Sequence, residues 1–297
     1  FISLVGAIDV DQKLCYNVHL RQLCLQLNHK KTMFVIDKTK KEILQTLIEE
    51  DKKCLITGAT GCGKTTLALE MAEELGMNPI VINCGSTQDA RTALLGHFTL
   101  QDGNTKFEQS DFLKAVQTPN TLVILDELSR ASDDAYNILF PVLDFRGDIR
   151  VDEEDGNARY IKVDETVKFM ATANVGMEYS SARSIDRALL DRFIVFNLEY
   201  IKGKELKKYL TTLYGVEVSK DAKPLCDIYD YSHKLFQQAE ISTRLSTRMI
   251  IESTPLVKTF SVAQILDNVL LSVFAQDSSD IVNDANKLRE FADTLGV

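Results

Sequence analysis

Gly58-Ala59-Thr60-Gly61-Cys62-Gly63-Lys64-Thr65 decides the fold. The stretch fits G-x-x-x-x-G-K-[ST], a loop that cradles phosphate. An apolar run, Cys54-Leu55-Ile56-Thr57, leads into it, and a helical pattern opens near Lys64. Gly58, Gly61 and Gly63 let the backbone curl so that successive N–H groups point inward at phosphate oxygens. The following helix adds its positive N-terminal end. Lys64 is expected to reach the β- and γ-phosphates of a nucleotide, and the Thr65 hydroxyl to hold Mg²⁺. Cys62 fills a variable slot, and Thr66 continues the first helical turn.

Mg²⁺ needs oxygen ligands beyond one hydroxyl. The run Leu122-Val123-Ile124-Leu125-Asp126-Glu127 supplies a carboxylate pair at a strand end, where open α/β sheets bind ligands. Asp126 is expected to hold Mg²⁺ directly or through water. Glu127 is expected to polarise the attacking water as general base. The next apolar run ends in Ala171-Thr172-Ala173-Asn174, and a polar Asn174 beside that site can position the water or touch the γ-phosphate.

Further runs at Ile80-Val81-Ile82-Asn83, Thr121 to Leu125, Val167 to Thr172 and Phe193 to Phe196 read as buried strands separated by helical patterns. Such strands build a parallel sheet covered on both faces, hence an α/β fold. Two segments interrupt the rhythm, Gly96 to Ser110 around Asp102-Gly103-Asn104 and Arg146 to Val163 around Asp155-Gly156-Asn157. Asp-Gly between β-branched and aromatic flanks predicts a β-hairpin in each. After Ile201 the pattern turns helical over Lys204 to Leu213, Ala222 to Gln238, Thr247 to Val257, Val262 to Phe274 and Ile281 to Leu295. The expected organisation is an N-terminal extension over 1–33, an α/β nucleotide-binding domain over 34–200 and a small all-helical lid over 201–297. Leu14 to Leu27 reads as a possible helix without a readable role.

The 297 residues are 45% hydrophobic and 26% charged, an ordinary globular composition with room for a sizeable core. Lys and Arg number 34 against 43 Asp and Glu, a net charge of -9 that gives no footprint for wholesale binding of DNA or anionic membrane. No run approaches the ~18 apolar residues of a membrane span, and the opening Phe1 to Ile8 lacks the basic flank of a signal peptide. Six cysteines, Cys15, Cys24, Cys54, Cys62, Cys84 and Cys226, form no C-x-x-C pair and no zinc spacing. They read as buried thiols of a cytoplasmic protein.

A phosphate loop alone serves kinases, GTPases and motors. No N-K-x-D guanine motif occurs, and a small-molecule kinase has no need of a water-activating Asp-Glu pair. Ser184-Ile185-Asp186-Arg187-Ala188-Leu189-Leu190-Asp191-Arg192-Phe193 reads as a short helix entering a strand. An arginine there can project to a neighbouring subunit's nucleotide, since a planar, always-charged fork suits a phosphoryl transition state.

With these pieces the sequence resembles the AAA+ ATPases, and within them the MoxR-like group, especially its CbbQ/NorQ/GvpN branch. The matching residues are the phosphate loop, Leu125-Asp126-Glu127-Leu128, Leu139-Phe140-Pro141-Val142-Leu143-Asp144, Asn174, Ala188 to Phe193 and Leu245-Ser246-Thr247-Arg248. They spread over Phe34 to Leu295. The resemblance implies an AAA+ parallel-sheet core with two hairpin insertions and a helical lid, binding ATP and Mg²⁺. It makes Asn174 the sensor-1 residue, Arg192 the trans arginine finger with Arg187 as second candidate, and Arg248 or Arg244 the sensor-2 arginine. It places Asn83 where the family restrains its catalytic glutamate. It further implies a homo-oligomer, usually a hexameric ring, that remodels a protein client, often with a von Willebrand factor A-domain partner. Arg146, Arg150, Arg159 and Lys162 beside Asp152, Glu153, Glu154 and Asp155 make one hairpin of mixed charge, which favours a protein client over nucleic acid. A nucleic-acid-linked motor of helicase or restriction-translocase type is the alternative, and a non-ring metabolic P-loop enzyme a third.

Overall fold

The computed structural model describes residues 36–86, 89–101, 103–151, 159–174, 187–274 and 279–297. The extension over 1–33, the Leu14 to Leu27 segment, the Asp155-Gly156-Asn157 turn and the start of the Ser184 to Phe193 stretch lie outside them.

Five strands form one parallel sheet: β1 Cys54–Gly58, β2 Asn78–Asn83, β5 Thr121–Asp126, β8 Lys168–Asn174 and β9 Ile194–Asn197. The order is β2-β5-β8-β1-β9. Register is set so that Gly58 at the end of β1 pairs with Asn174, and Asn83 at the end of β2 pairs with Asp126. All the residues expected to do chemistry on strands therefore finish at one edge of the sheet.

Alternation along β5 shows how the sheet is covered. Leu122 and Ile124 enter one core with Leu44 and Ile48 of α1 (Lys38–Glu49) and Leu67, Ala68 and Met71 of α2 (Lys64–Glu74). Val123 and Leu125 enter the opposite core with Leu94 of α3 (Ala90–Leu94), Phe112 and Leu113 of α4 (Asp111–Ala115) and Leu139 of α5 (Asp133–Leu143). Burial on both faces is what its unbroken apolar run requires. Side-chain caps start the helices: Asp37 caps α1, Asp89 caps α3, Ser110 caps α4 and Ser132 caps α5.

Both hairpins form. The first pairs β3 (Gly96–Gln101) with β4 (Asn104–Gln109), and Phe98 stacks edge-on against Phe107 across it at 5.5 Å. The second pairs β6 (Asp148–Val151) with β7 (Arg159–Lys162), and Ile149, Val151 and Ile161 sink into the sheet's core.

α6 (Arg187–Leu190) precedes β9. Beyond β9 the chain is helical: α7 (Gly203–Tyr214), α8 (Val216–Asp221), α9 (Lys223–Gln237), α10 (Thr247–Ser253), α11 (Val262–Ile265) and α12 (Ser279–Thr294). These share a separate core that includes Leu206, Tyr229, Leu245, Ile250, Phe274 and Leu288.

Five sequence expectations need correction. The strand ending at Phe196 is not buried, because β9 is an edge strand and leaves Ile194 and Val195 exposed. The opposite edge strand, β2, likewise exposes Val81. The helix expected over Thr247 to Val257 leaves α geometry after Ser253. Pro255 has no N–H to give the Ile251 carbonyl, which instead accepts the Tyr214 hydroxyl at 3.1 Å. Val262 to Phe274 divides into α11, a π turn over Leu266–Leu270 and a 3₁₀ turn over Leu271–Phe274. The wider turn brings the adjacent pairs Ile265-Leu266 and Leu270-Leu271 into the core together. Finally, α8 was not anticipated; Gly215, at φ 89°, ends α7 and turns the chain straight into it.

Candidate active site

The phosphate loop joins β1 to α2, and its glycines are used where the geometry demands them. Gly61 and Gly63 hold φ of 73° and 93°, which L side chains rarely adopt. Gly58 is constrained by space, since a Cβ there would lie 2.5 Å from the Leu198 carbonyl oxygen. Ala59 and Cys62 are buried, Gly61 and Gly63 half-buried, and Thr60 and Thr66 exposed. Burial pushes the Cys62 thiol up, so it is a packed neutral group rather than a nucleophile.

Lys64 is 7% exposed, yet its ammonium is fully engaged. Its Nζ donates to the Gly58 carbonyl at 3.0 Å, the Ala59 carbonyl at 2.8 Å and Asn174 Oδ1 at 2.7 Å. Burial holds the amine below its ordinary range, opposed by the nearby Asp126 and Glu127 carboxylates. The register of β1 with β8 is what brings Asn174, 110 residues away, onto this lysine.

Thr65 donates its hydroxyl to Asp126 Oδ1 at 2.7 Å. A residue that sequence reasoning passed over completes the arrangement. Thr172 Oγ1 donates to the same Asp126 oxygen at 2.6 Å and accepts the Glu127 backbone N–H at 3.1 Å. One buried hydroxyl on β8 thus fixes both acidic residues. Its signal lay inside the Ala171-Thr172-Ala173-Asn174 run, as the polar residue in an otherwise apolar strand. The hydroxyls and carboxylate of Thr65, Asp126 and Thr172 form an all-oxygen set that fits a hard divalent cation such as Mg²⁺. Among the described residues no group of three or more His, Cys, Asp and Glu is placed to hold a metal ion by itself.

Glu127 occupies the left-handed region at φ 55°, ψ 40°. Its carboxylate pairs with Arg130 Nη1 at 2.8 Å. Asn83 Oδ1 accepts the Gly85 N–H at 2.9 Å, so the β2-end asparagine shapes the turn beside this pair.

The arginines are held differently. Arg192 lies on the α6–β9 turn, donates Nη1 to the Ala188 carbonyl at 2.6 Å, and sets its guanidinium 4.8 Å from the Phe140 ring centre. Arg187 opens α6 and is exposed. Arg244 is sandwiched between the rings of Tyr200 and Phe236, at 4.4 and 4.3 Å. Arg248, in the first turn of α10, stands over the loop: its Cβ would be 3.6 Å from a Cβ on Gly61, and its charge opposes that of Lys64. Tyr200 ties the two parts together, its hydroxyl donating to the Thr60 carbonyl at 3.1 Å.

Residues 53–193 match the model of the AAA domain, dynein-related subfamily. BssE of Thauera aromatica, a protein named as a candidate chaperone, is 28% identical over 195 residues, which cover 65% of this chain and 65% of its own length. A Staphylococcus saprophyticus protein of uncharacterised function is 30% identical over 164 residues, 54% of this chain and 60% of its own length. The chain therefore spans just under two thirds of each of these relatives. A Staphylococcus epidermidis protein, also uncharacterised, is 25% identical over 79% of this chain and 89% of its own length. In fold the chain is similar to NtrX from Brucella abortus, solved with ADP, at a TM-score of 0.54 and 13% identity over 97% of this chain and 68% of that one. The chain has the α/β AAA+ fold. Among the described residues, no helix is long and apolar enough to cross a membrane.

Proposed function

We propose that this chain is an Mg²⁺-dependent ATPase that assembles into a ring and uses hydrolysis to remodel or activate a protein client, in the manner of the MoxR-like CbbQ/NorQ/GvpN branch. The observation that carries the proposal is the convergence on the loop: Lys64 bound to Asn174, and Thr65 and Thr172 both bound to Asp126. In this reading residues 34–200 form the nucleotide domain, 201–297 the lid and 1–33 an extension. Thr65 and Asp126 would hold Mg²⁺, which when bound neutralises charge developing on the β- and γ-phosphoryl oxygens. Lys64 binds the same phosphates, Glu127 takes the proton of the attacking water, and Asn174 orients that water.

Arg248 serves as the sensor-2 arginine, because it stands over Gly61 while Arg244 is committed between two rings. Arg192 serves a neighbouring subunit's nucleotide, with Arg187 as second candidate. The name of the BssE relative supports a chaperone-like role, and the mixed charge of the second hairpin supports a protein client. The four described cysteines are buried thiols, in keeping with a reducing, cytoplasmic setting.

Mixing separately inactive Lys64→Ala and Arg192→Ala chains tests the shared site. A trans finger contributes roughly 10³–10⁵ in rate in comparable systems, so mixed rings should recover phosphate release that neither variant shows alone. Absence of recovery in rings verified to contain both variants rejects the trans assignment. Stimulation of turnover by DNA or RNA, and not by a von Willebrand factor A-domain protein, would favour the nucleic-acid motor instead.

A further inference from the structure

Glu127 is anchored at two points that pull in opposite directions. Its backbone N–H is held by Thr172 on β8, on the side of the sheet nearer the phosphate loop. Its carboxylate turns the other way, toward the end of β2. Oε2 comes so close to Gly85 that a Cβ there would lie 2.7 Å away. The sheet order β2-β5-β8-β1 puts the phosphate loop two strand spacings from β5 in the opposite direction, roughly 10 Å at about 4.8 Å per strand. The group that holds the carboxylate on the β2 side is Arg130, at 2.8 Å.

Three features favour this pose. Arg130 sits three residues after Glu127 on the 3₁₀ turn Leu128–Arg130, which puts it on the same side. Its Cβ and Cδ pack over Gly85, within 3.2 and 3.3 Å of where a Cβ would stand. Asn83 Oδ1 fixes the Gly85 turn from below. A general base must lie within about 2.6–3.2 Å of the proton it takes, or one water away. A carboxylate drawn over β2 is turned away from the phosphate loop.

We infer that Arg130 is a positioning residue that parks the Glu127 carboxylate toward β2 and so lowers turnover of the chain on its own. The inference rests on the reading of Glu127 as general base. Arg130 and Glu127 are 48% and 32% exposed, so the pair is a weak, reversible latch. Exposed ion pairs of this kind shift populations by about two- to fivefold, and that is the size of effect expected.

The test is steady-state phosphate release by the full chain over a range of ATP concentrations. Arg130→Gln should raise kcat about two- to fivefold with KM for ATP unchanged. Arg130→Lys, which keeps the charge, should stay near the parent. Gly85→Ala, which keeps the Arg130 guanidinium in the chain but crowds its stem and fills the space Oε2 uses, should raise kcat in the same way. Glu127→Gln/Arg130→Gln should show no rise, because the base is gone. Unchanged or lowered kcat in both Arg130→Gln and Gly85→Ala, with melting temperatures near the parent's, overturns the latch. Parental turnover in Glu127→Gln alone would instead remove the general-base reading on which the latch depends.

Discussion

The two sides of the nucleotide site are held by different kinds of contact. On the sheet side, Lys64, Thr65 and Asp126 are fixed by oxygen partners at 2.6 to 3.0 Å, drawn from β1, β5, β8, the loop between β1 and α2 and the first turn of α2. On the arginine side, Arg192 and Arg244 rest against ring faces at 4.3 to 4.8 Å. A hydrogen bond weakens steeply as its angle closes, so the sheet side has one geometry. A ring face attracts a guanidinium over a broad area, so these ring contacts tolerate sliding that the sheet-side bonds do not. The first is built to receive charge without reorganising. In the proposed ring, the second would move with the helical region or a neighbour.

Removing the centre of the rigid side should cost most. Lys64→Ala deletes three hydrogen bonds and the buried cation, leaving the Asn174 amide oxygen and two carbonyls without their donor. Turnover should fall on the order of 10²–10³-fold, as when a preorganised charge-stabilising donor is lost, with the fold retained by circular dichroism. Turnover within a few-fold of the parent would show that the sheet side is not where charge is stabilised.

A finer cut separates rigidity from charge. Thr172→Val keeps the volume and the charges but removes the hydroxyl that binds both Asp126 and the Glu127 backbone. A hydrogen bond to a charged group is worth about 1.5–3 kcal/mol, so kcat should fall about tenfold or more while the Kd for ADP changes little. An equal loss in nucleotide affinity would mean that Thr172 holds the loop rather than the acidic pair.

The two sides also differed in how far the sequence revealed them. The loop, Asp126, Glu127 and Asn174 were legible because each sits at a fixed offset from an apolar strand, and the parallel register then has little freedom. Thr172 was hidden because a threonine inside a strand is usually read as β propensity. The Arg130 pair was hidden because it depends on the left-handed turn at Glu127. On the arginine side, Ser242-Thr243-Arg244 and Ser246-Thr247-Arg248 look alike in sequence. Only the packing of Tyr200 and Phe236 around one of them tells the two apart. Exposure of β9 was equally unreadable, since strand order, and hence which strands are edges, is a tertiary property.

The smallest effect concerns the mobile side and is read by pH. His233 lies beside Arg244's partner Tyr200, with the Tyr200 and Tyr229 rings each 4.3 Å from its own. Its Nε2 lies 2.9 Å from the Leu245 carbonyl and so carries the proton it donates there. Burial, with the Arg244 charge acting in the same direction, pushes the imidazole from 6.5 down to about 4. The unfolded chain takes up this proton near pH 6.5 and the folded chain not until about pH 4. Folded stability is therefore present at neutral pH and is lost progressively as pH falls from 6.5 toward 4, by at most about 3 kcal/mol. His233→Gln cannot titrate yet keeps an N–H for the Leu245 carbonyl. Carboxylates contribute a common acid slope to both proteins, so the difference between them isolates the histidine. Melting temperatures from pH 7.5 to 4.5 should fall more steeply for the parent than for His233→Gln below pH 6.5. Parallel curves would mean that the aromatic stack around Arg244 already admits a second positive charge, and that this side of the site is looser than its contacts indicate.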